Sequence, residues 1–363
     1  MPAAETHFAQ TYREARGKFV AAAESAGLDV HAHRHPMVGR DGESLAMDVA
    51  RFGPADAQRL LLITSGCHGV EGFCGSGIQV ALLSDGAWHA AAAQAGVAVL
   101  YVHALNPYGF SWWRRTTHEN VDLNRNFLDF HAPLPHNAGY VKLARAIVPA
   151  TWPPPPSAAE AFAHFAALHG ERELQRAVTG GQHEDPEGLF YGGRDPTWSN
   201  QTFRHVLQDH GRRCRHLAWI DLHTGLGPSG HGERIFFDRP DAQALARART
   251  WWGERVTSMY DGSSASAQLS GMGCEAVHAE CPQAQYTGIA MEYGTLPLLE
   301  VLDAMRADQW LELHPETPAD AAAPIKQRMR DAFYTDTPVW KQQVVDQATD
   351  AARQALAGLA ASH

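Results

Sequence analysis

The chain is short of cysteine, of positive charge and of long hydrophobic runs. Five cysteines in 363 residues, at positions 67, 74, 214, 274 and 281, are odd in number and show no CxxC spacing. That argues against a disulfide framework, and Cys274 and Cys281 have no second pair with which to build a cysteine zinc site. Lys plus Arg is 30 against 40 for Asp plus Glu, a formal net charge of −10. With no Lys/Arg-rich run, non-specific binding to nucleic acid or to an anionic membrane is disfavoured. No apolar stretch is long enough to span a bilayer. The N-terminus, MPAAETHFAQTYREARGKF, carries charges where a signal peptide needs an apolar core, so a cytoplasmic location is expected. What remains is an ordinary globular composition, 45% hydrophobic and 19% charged, in a chain long enough to bury a sizeable core.

Periodicity supplies the fold class. In residues 8–27, Phe8, Tyr12, Ala15, Phe19 and Ala23 recur at helical spacing before Gly27, and residues 341–362 repeat the pattern with Val344, Val345, Ala348, Ala352, Leu356 and Leu359. Both helices are expected to cover a sheet. Five short apolar runs ending in Gly, Pro or polar turns read as buried strands: LLLIT (60–64), VAVLYVH (97–103), LAWID (217–221), RIFF (234–237) and GIAM (288–291). Helical stretches such as 75–83 and 241–260 lie between them. This alternation predicts an α/β fold with a mostly parallel sheet. Residues 131–200 depart from it, with PPPP at 153–156 and a helix expected around 158–178 before a Gly/Pro-rich end. The four prolines are expected to be extended. One domain over 1–363, with an insertion at about 131–200 between two strands, is the expected organisation.

Three of the strands end in groups suited to metal chemistry. LLLITSGCHGVEG places His68 and Glu71 after the first, LAWIDLHTG places His223 after another, and GIAMEYGT places Glu292 at the end of a third. Loops leaving the carboxyl ends of parallel strands converge on one crevice. His68, Glu71 and His223 would supply two imidazoles and a carboxylate and leave a fourth position for water, the pattern of a catalytic zinc site. Glu292 is then the candidate to accept the water's proton. Taken alone, HxxE is weak, because a chain with 21 histidines produces such pairs readily. The segment LNPYGFSWWRRTTHENVDLNRNF (105–127) adds Arg114, Arg115 and Arg125, guanidiniums suited to gripping a carboxylate. Two other motifs carry less. Gly225–Gly230 matches GxGxxG but is followed by a strand-like HGERIFF rather than the helix a dinucleotide loop opens. Cys67, beside His68, reads as a buried structural thiol.

In order, HGVE (68–71), NPYGF (106–110), the Arg pair, VDLNRNF (121–127), DLHTG (221–225) and MEYGT (291–295) resemble the zinc carboxypeptidase superfamily. The likeness is nearest to an uncharacterised bacterial branch of cytosolic metallopeptidase-like proteins, and DLHTG and DLNR are also similar to the aspartoacylase and succinylglutamate desuccinylase branch. The resemblance runs from about residue 60 to 300. It implies a three-layer α/β/α fold with a mostly parallel mixed, twisted sheet, and one Zn2+ per chain on His68, Glu71 and His223. It implies Glu292 as general base and acid, Asn124 and Arg125 as the grip on a substrate carboxylate, and Asp122 as the carboxylate behind a ligating histidine. An arginine stabilising the oxyanion is assigned to Arg115 rather than Arg114. The family's mobile active-site tyrosine has no counterpart at the expected spacing; Tyr260 and Tyr286 bracket its region.

The resemblance therefore implies hydrolysis of an amide bond next to a free carboxylate. Carboxypeptidase-like cleavage of short peptides is the first expectation. Deacylation of N-acyl amino acids, aspartoacylase-like, is the second, and a non-catalytic metal-containing binding protein the third. The partner is a small peptide or N-acyl amino acid, with no nucleic acid and no membrane. Residues 131–200 and 261–287 are expected to shape the pocket beyond the carboxylate.

Overall fold

The computed structural model describes residues 3–362. Its centre is a mixed seven-stranded sheet: β1 (Val30–Val38), β2 (Ser44–Phe52), β3 (Arg59–Ser65), β4 (Ala98–His103), β5 (His216–Ser229), β6 (Gly232–Phe236) and β7 (Gln285–Gly294), in the order β1-β2-β4-β3-β5-β7-β6. The four central strands, β4, β3, β5 and β7, are parallel; β1, β2 and β6 are antiparallel to their neighbours. All five apolar runs are strands.

Alternation along these strands builds two cores. Leu61 and Ile63 of β3 face one, and Leu60 and Leu62 the other, as a period of two requires of a strand covered on both sides. The first core is closed by helices Tyr12–Ser25, Gly72–Leu83 and Pro338–Ala361, through Phe19, Ile78 and Val344 among others. The second is closed by helices Trp198–His210 and Cys274–Glu280, through Phe203 and Val277. The result is a three-layer α/β/α sandwich. All five cysteines are buried and free.

The hairpin β1–β2 lies outside the apolar runs. Its outer strand, VHAHRHPMV, is mostly exposed and carries a register shift between Arg34 and Val38, around Pro36. An edge strand tolerates both polarity and proline, and so leaves no hydrophobic signal.

The insertion lies between β4 and β5. It forms helices Ala138–Ile147, Pro156–His169 and Glu171–Thr179. The expected helix over 158–178 is therefore two, broken at Gly170 with φ +88°. The proline run also needs correction at its end. Pro155 is extended, but Pro156 opens a helix, where the missing N–H costs no bond and the ring's fixed φ suits the first turn. Arg306, on helix Leu298–Leu313, donates to the carbonyls of Ala146 and Ile147 at 2.8 and 3.0 Å. This fastens the insertion over the carboxyl ends of the central strands. No described helix is long and apolar enough to cross a membrane.

Candidate metal centre and substrate cavity

The loop after β3 is held by backbone packing. Gly66 turns the chain with φ +65°, and a Cβ on Gly69 would collide with the Gly109 backbone, so both residues must lack a side chain. Gly109 belongs to NPYGF, where Asn106 caps a short helix by accepting from Gly109 N–H at 2.9 Å and Pro107 occupies its first turn. Gly69 and Val70 then donate to the carbonyls of Arg115 and Arg114 at 3.1 and 2.8 Å. The HGVE and NPYGF motifs are thus two halves of one clamp that presents His68 and Glu71.

His68, Glu71 and His223 meet. Glu71 Oε1 lies 2.9 Å from His68 Nδ1, its Oε2 3.0 Å from His223 Nδ1, and the two Nδ1 atoms are 3.3 Å apart. All three side chains are buried. Each imidazole has a carboxylate at its far nitrogen: Asp122 Oδ1 is 3.2 Å from His68 Nε2, and Asp221 Oδ2 is 2.7 Å from His223 Nε2. These partners orient the rings; a ring that donates its Nε2–H to the carboxylate behind it leaves a lone pair on Nδ1. Glu71 also accepts the Thr224 N–H at 3.1 Å. Two such nitrogens and a carboxylate, with ligand atoms within 4.8 Å of one another, fit a divalent transition ion in both type and number.

Electrostatics agree with that fit. Burial opposes charge on Glu71, but His68 and His223 hold its carboxyl well below the usual range. Burial likewise opposes charge on His223, yet Asp221 and Glu71 keep the imidazole protonated well above its ordinary range. A cation binding here replaces that proton. Glu292 goes the opposite way. Burial, reinforced by neighbouring Glu71, raises it to about 8. It sits opposite His223 in the β5–β7 register and accepts the Leu226 N–H at 3.1 Å.

The Arg pair divides. Arg114 points away from the cavity, with Nη2 donating to Gln309 at 2.8 Å and Nη1 3.2 Å from Glu312. Arg115 faces the cluster: Nε donates to Asp122 at 3.0 Å, Nη1 is 3.3 Å from Glu71, and Nη2 is 2.8 Å from His68 Nε2. Arg115 and Asp122 compete for His68 Nε2. If Nε2 accepts from Arg115, the proton sits on Nδ1. If Nε2–H is donated to Asp122, Nδ1 can bind a cation, and the Arg115 Nη2 is free for another acceptor.

Asp122 opens the one-turn helix Leu123–Arg125 by accepting the Asn124 N–H at 3.1 Å. Asn124 Oδ1 accepts from Gly273 N–H at 3.0 Å, so the amide offers its N–H2 end to the cavity. Arg125 is buried, donating to the carbonyls of Asn124 and Thr179 at 2.9 and 2.7 Å, while its Nε has no partner. Burial pulls its guanidinium below the usual range. A buried cation satisfied chiefly by carbonyls, with one donor unmet, favours an anion.

These groups open into a cavity of about 520 Å³. The insertion lines one side with Phe162, Leu174, Val178 and Phe190, and residues 266–272 line another. Tyr260 and Tyr286 turn away, donating to the carbonyls of Asp238 and Phe237, each at 2.8 Å. No tyrosine lines the cavity among the described residues. Cys67 is buried, and burial pushes its thiol well above its ordinary range, unlike an activated nucleophile. The segment 225–230 forms the end of β5, its tip and the following turn, and opens no helix. Asp221 was not among the expected site residues. Its signal was its position two before His223 on one strand, which puts both side chains on the same face.

Fold and site together define an α/β/α protein with a buried two-histidine, one-carboxylate centre beside an arginine-anchored cavity. Residues 8–347 match the family described as "Protein of unknown function (DUF2817)", and the chain belongs to that family. No curated protein matches it. Among solved structures it is similar to carboxypeptidase A from Helicoverpa armigera: 13% identity, TM-score 0.44, 89% of this chain and 74% of that one. Bovine thrombin-activatable fibrinolysis inhibitor matches at 12% and 0.46, covering 94% and 98%. A metallo-carboxypeptidase from Pseudomonas aeruginosa matches at 14% and 0.41, covering 92% and 69%.

Proposed function

We propose that the protein is a zinc-dependent hydrolase, with one Zn2+ per chain, that cleaves an amide bond next to a free carboxylate. The observation that carries this reading is the pair of Nδ1 atoms converging on Glu71, each ring backed by its own carboxylate, with Glu292 alongside in register with His223. His68, Glu71 and His223 would hold the ion, which when bound polarises a carbonyl and lowers the pKa of water. Arg125 and Asn124 hold the substrate's carboxylate, which fixes where its amide lies. Glu292 accepts a proton from the attacking water and passes it to the leaving nitrogen. Arg115 turns its Nη2 to the oxygen that gains negative charge, a stabilisation of about 3–4 kcal/mol for one well-placed donor.

Short peptides and N-acyl amino acids both present such a bond; carboxypeptidase-like cleavage of a short peptide is the first reading and deacylation of an N-acyl amino acid the alternative. The test is elemental analysis of purified protein resupplied with divalent ions, together with hydrolysis of a panel of peptides and N-acyl amino acids. One zinc per chain and turnover lost to a chelator and regained on resupply are expected. Failure to retain any such ion would end the proposal. Full zinc occupancy without turnover on the panel would favour a binding protein.

A further inference from the structure

Beside the side lined by the insertion, the cavity extends from the cluster along two further walls, and their places relative to Arg125 and His223 tell them apart. Met272 lies between Gly271, which packs against the Arg125 carbonyl, and Gly273, which donates to Asn124. That wall flanks the carboxylate anchor. The other wall is helix Leu298–Leu313. Its Val301, together with Phe333, stands against Gly225, two residues beyond His223. This wall flanks the metal ligands. With the carboxylate at Arg125 and the amide over the ligands, the acyl half of the substrate lies along the second wall.

That wall is apolar throughout. Helix Leu298–Leu313 contributes Leu298, Leu299, Val301, Leu302 and Met305 to the cavity, and no polar side chain. At the mouth, Leu298 and Leu299 are 43% and 78% exposed, so the apolar track runs out to solvent. The polar side chains Glu171, Arg172, Gln175 and Ser266 line the cavity from the insertion and from the 266–272 segment, so a peptide amide or free ammonium laid against helix Leu298–Leu313 finds no partner on it, which disfavours binding there. An aliphatic chain needs no partner and gains by leaving water.

Resting on the amide-hydrolase reading, we infer that the substrate is an N-acyl amino acid with an extended aliphatic acyl chain, seated along Val301, Leu302 and Met305 and reaching Leu298. The amide C–N bond breaks; the hydroxyl of water goes to the acyl carbon and its proton to the nitrogen. The products are a fatty acid and an amino acid.

Calorimetric binding to the zinc-supplied Glu292→Gln protein tests this with acetyl-, butanoyl-, hexanoyl- and octanoyl-leucine. Affinity should rise by about fourfold per methylene, the factor for burying one CH2. Leu302→Asn should flatten that slope. Leu298→Asn, at the exposed mouth and harmless to folding, should reduce the gain from hexanoyl to octanoyl. A slope of zero, or a tripeptide ending in leucine that binds as tightly as octanoyl-leucine, would overturn the inference. Turnover by the unsubstituted enzyme is scored separately. Chain-length-dependent binding without hydrolysis supports the acyl subsite and rejects the hydrolase. Peptide hydrolysis with no chain-length dependence does the reverse.

Discussion

Replacing Arg125 by alanine separates substrate anchoring from everything else the residue does. Arg125 is 3% exposed, spends two N–H groups on the carbonyls of Asn124 and Thr179, and lies 3.8 Å from Asp122. Its loss leaves two carbonyls unpaired and removes one of the cations beside Asp122, so turnover should fall for every substrate. A substrate carboxylate loses more, because it also loses its charge-assisted hydrogen bonding, worth about 3 kcal/mol. The extra penalty is on the order of a hundredfold in kcat/KM. The assay is therefore a ratio: kcat/KM for an N-acyl amino acid against its carboxyl-methylamide, in enzyme and variant. The general damage cancels, and the ratio should fall about a hundredfold. Arg125→Lys should recover part of it, since a lysine keeps the charge but cannot fork across both carbonyls. An unchanged ratio would refute the anchor.

Glu292→Gln should leave metal content unchanged while lowering turnover by about 10²–10⁴-fold; full activity with metal bound would remove Glu292 from the chemistry. Asp221→Asn weakens the 2.7 Å support behind His223 and should lower zinc affinity by about 10–100-fold in a competition with a chromophoric chelator; equal affinity would show that Asp221 does not tune the ligand. A further prediction concerns stability. Burial, then neighbouring His118, lowers His35 from 6.5 to about 4, and its Nδ1 accepts the Met37 N–H at 3.1 Å, which requires the neutral ring. The unfolded chain therefore takes this proton first as pH falls. The stabilisation is complete above about pH 6.5 and is lost progressively towards about 4, and the loss reaches about 2 kcal/mol at pH 5. Urea unfolding at pH 7 and pH 5 should show His35→Gln losing less stability than the unsubstituted protein by about that amount; identical losses would contradict it.

The parts legible in the sequence are those with a strong local signal. Buried strands are apolar because both faces are covered, so LLLIT and GIAM betray themselves; the outer strand VHAHRHPMV, wet along most of its length, does not. The motif residues were legible through chemistry and order: His68, Glu71, His223 and Glu292 stand at strand ends that a parallel sheet gathers at one edge. Which arginine faces the cluster was not legible, since Arg114 and Arg115 are adjacent and identical in type. The tertiary structure separates them by giving Arg114 partners on helix Leu298–Leu313.

By itself, then, the sequence determined the layer architecture and the inventory of reactive groups, because periodicity and residue chemistry are local properties. Only the tertiary structure decided which imidazole Asp122 backs, the carboxylate of Asp221 behind His223, the unmet donor of Arg125 and the apolar wall along the acyl side. Those are relations between segments remote in the chain, and burial and distance exist only once the chain has closed on itself.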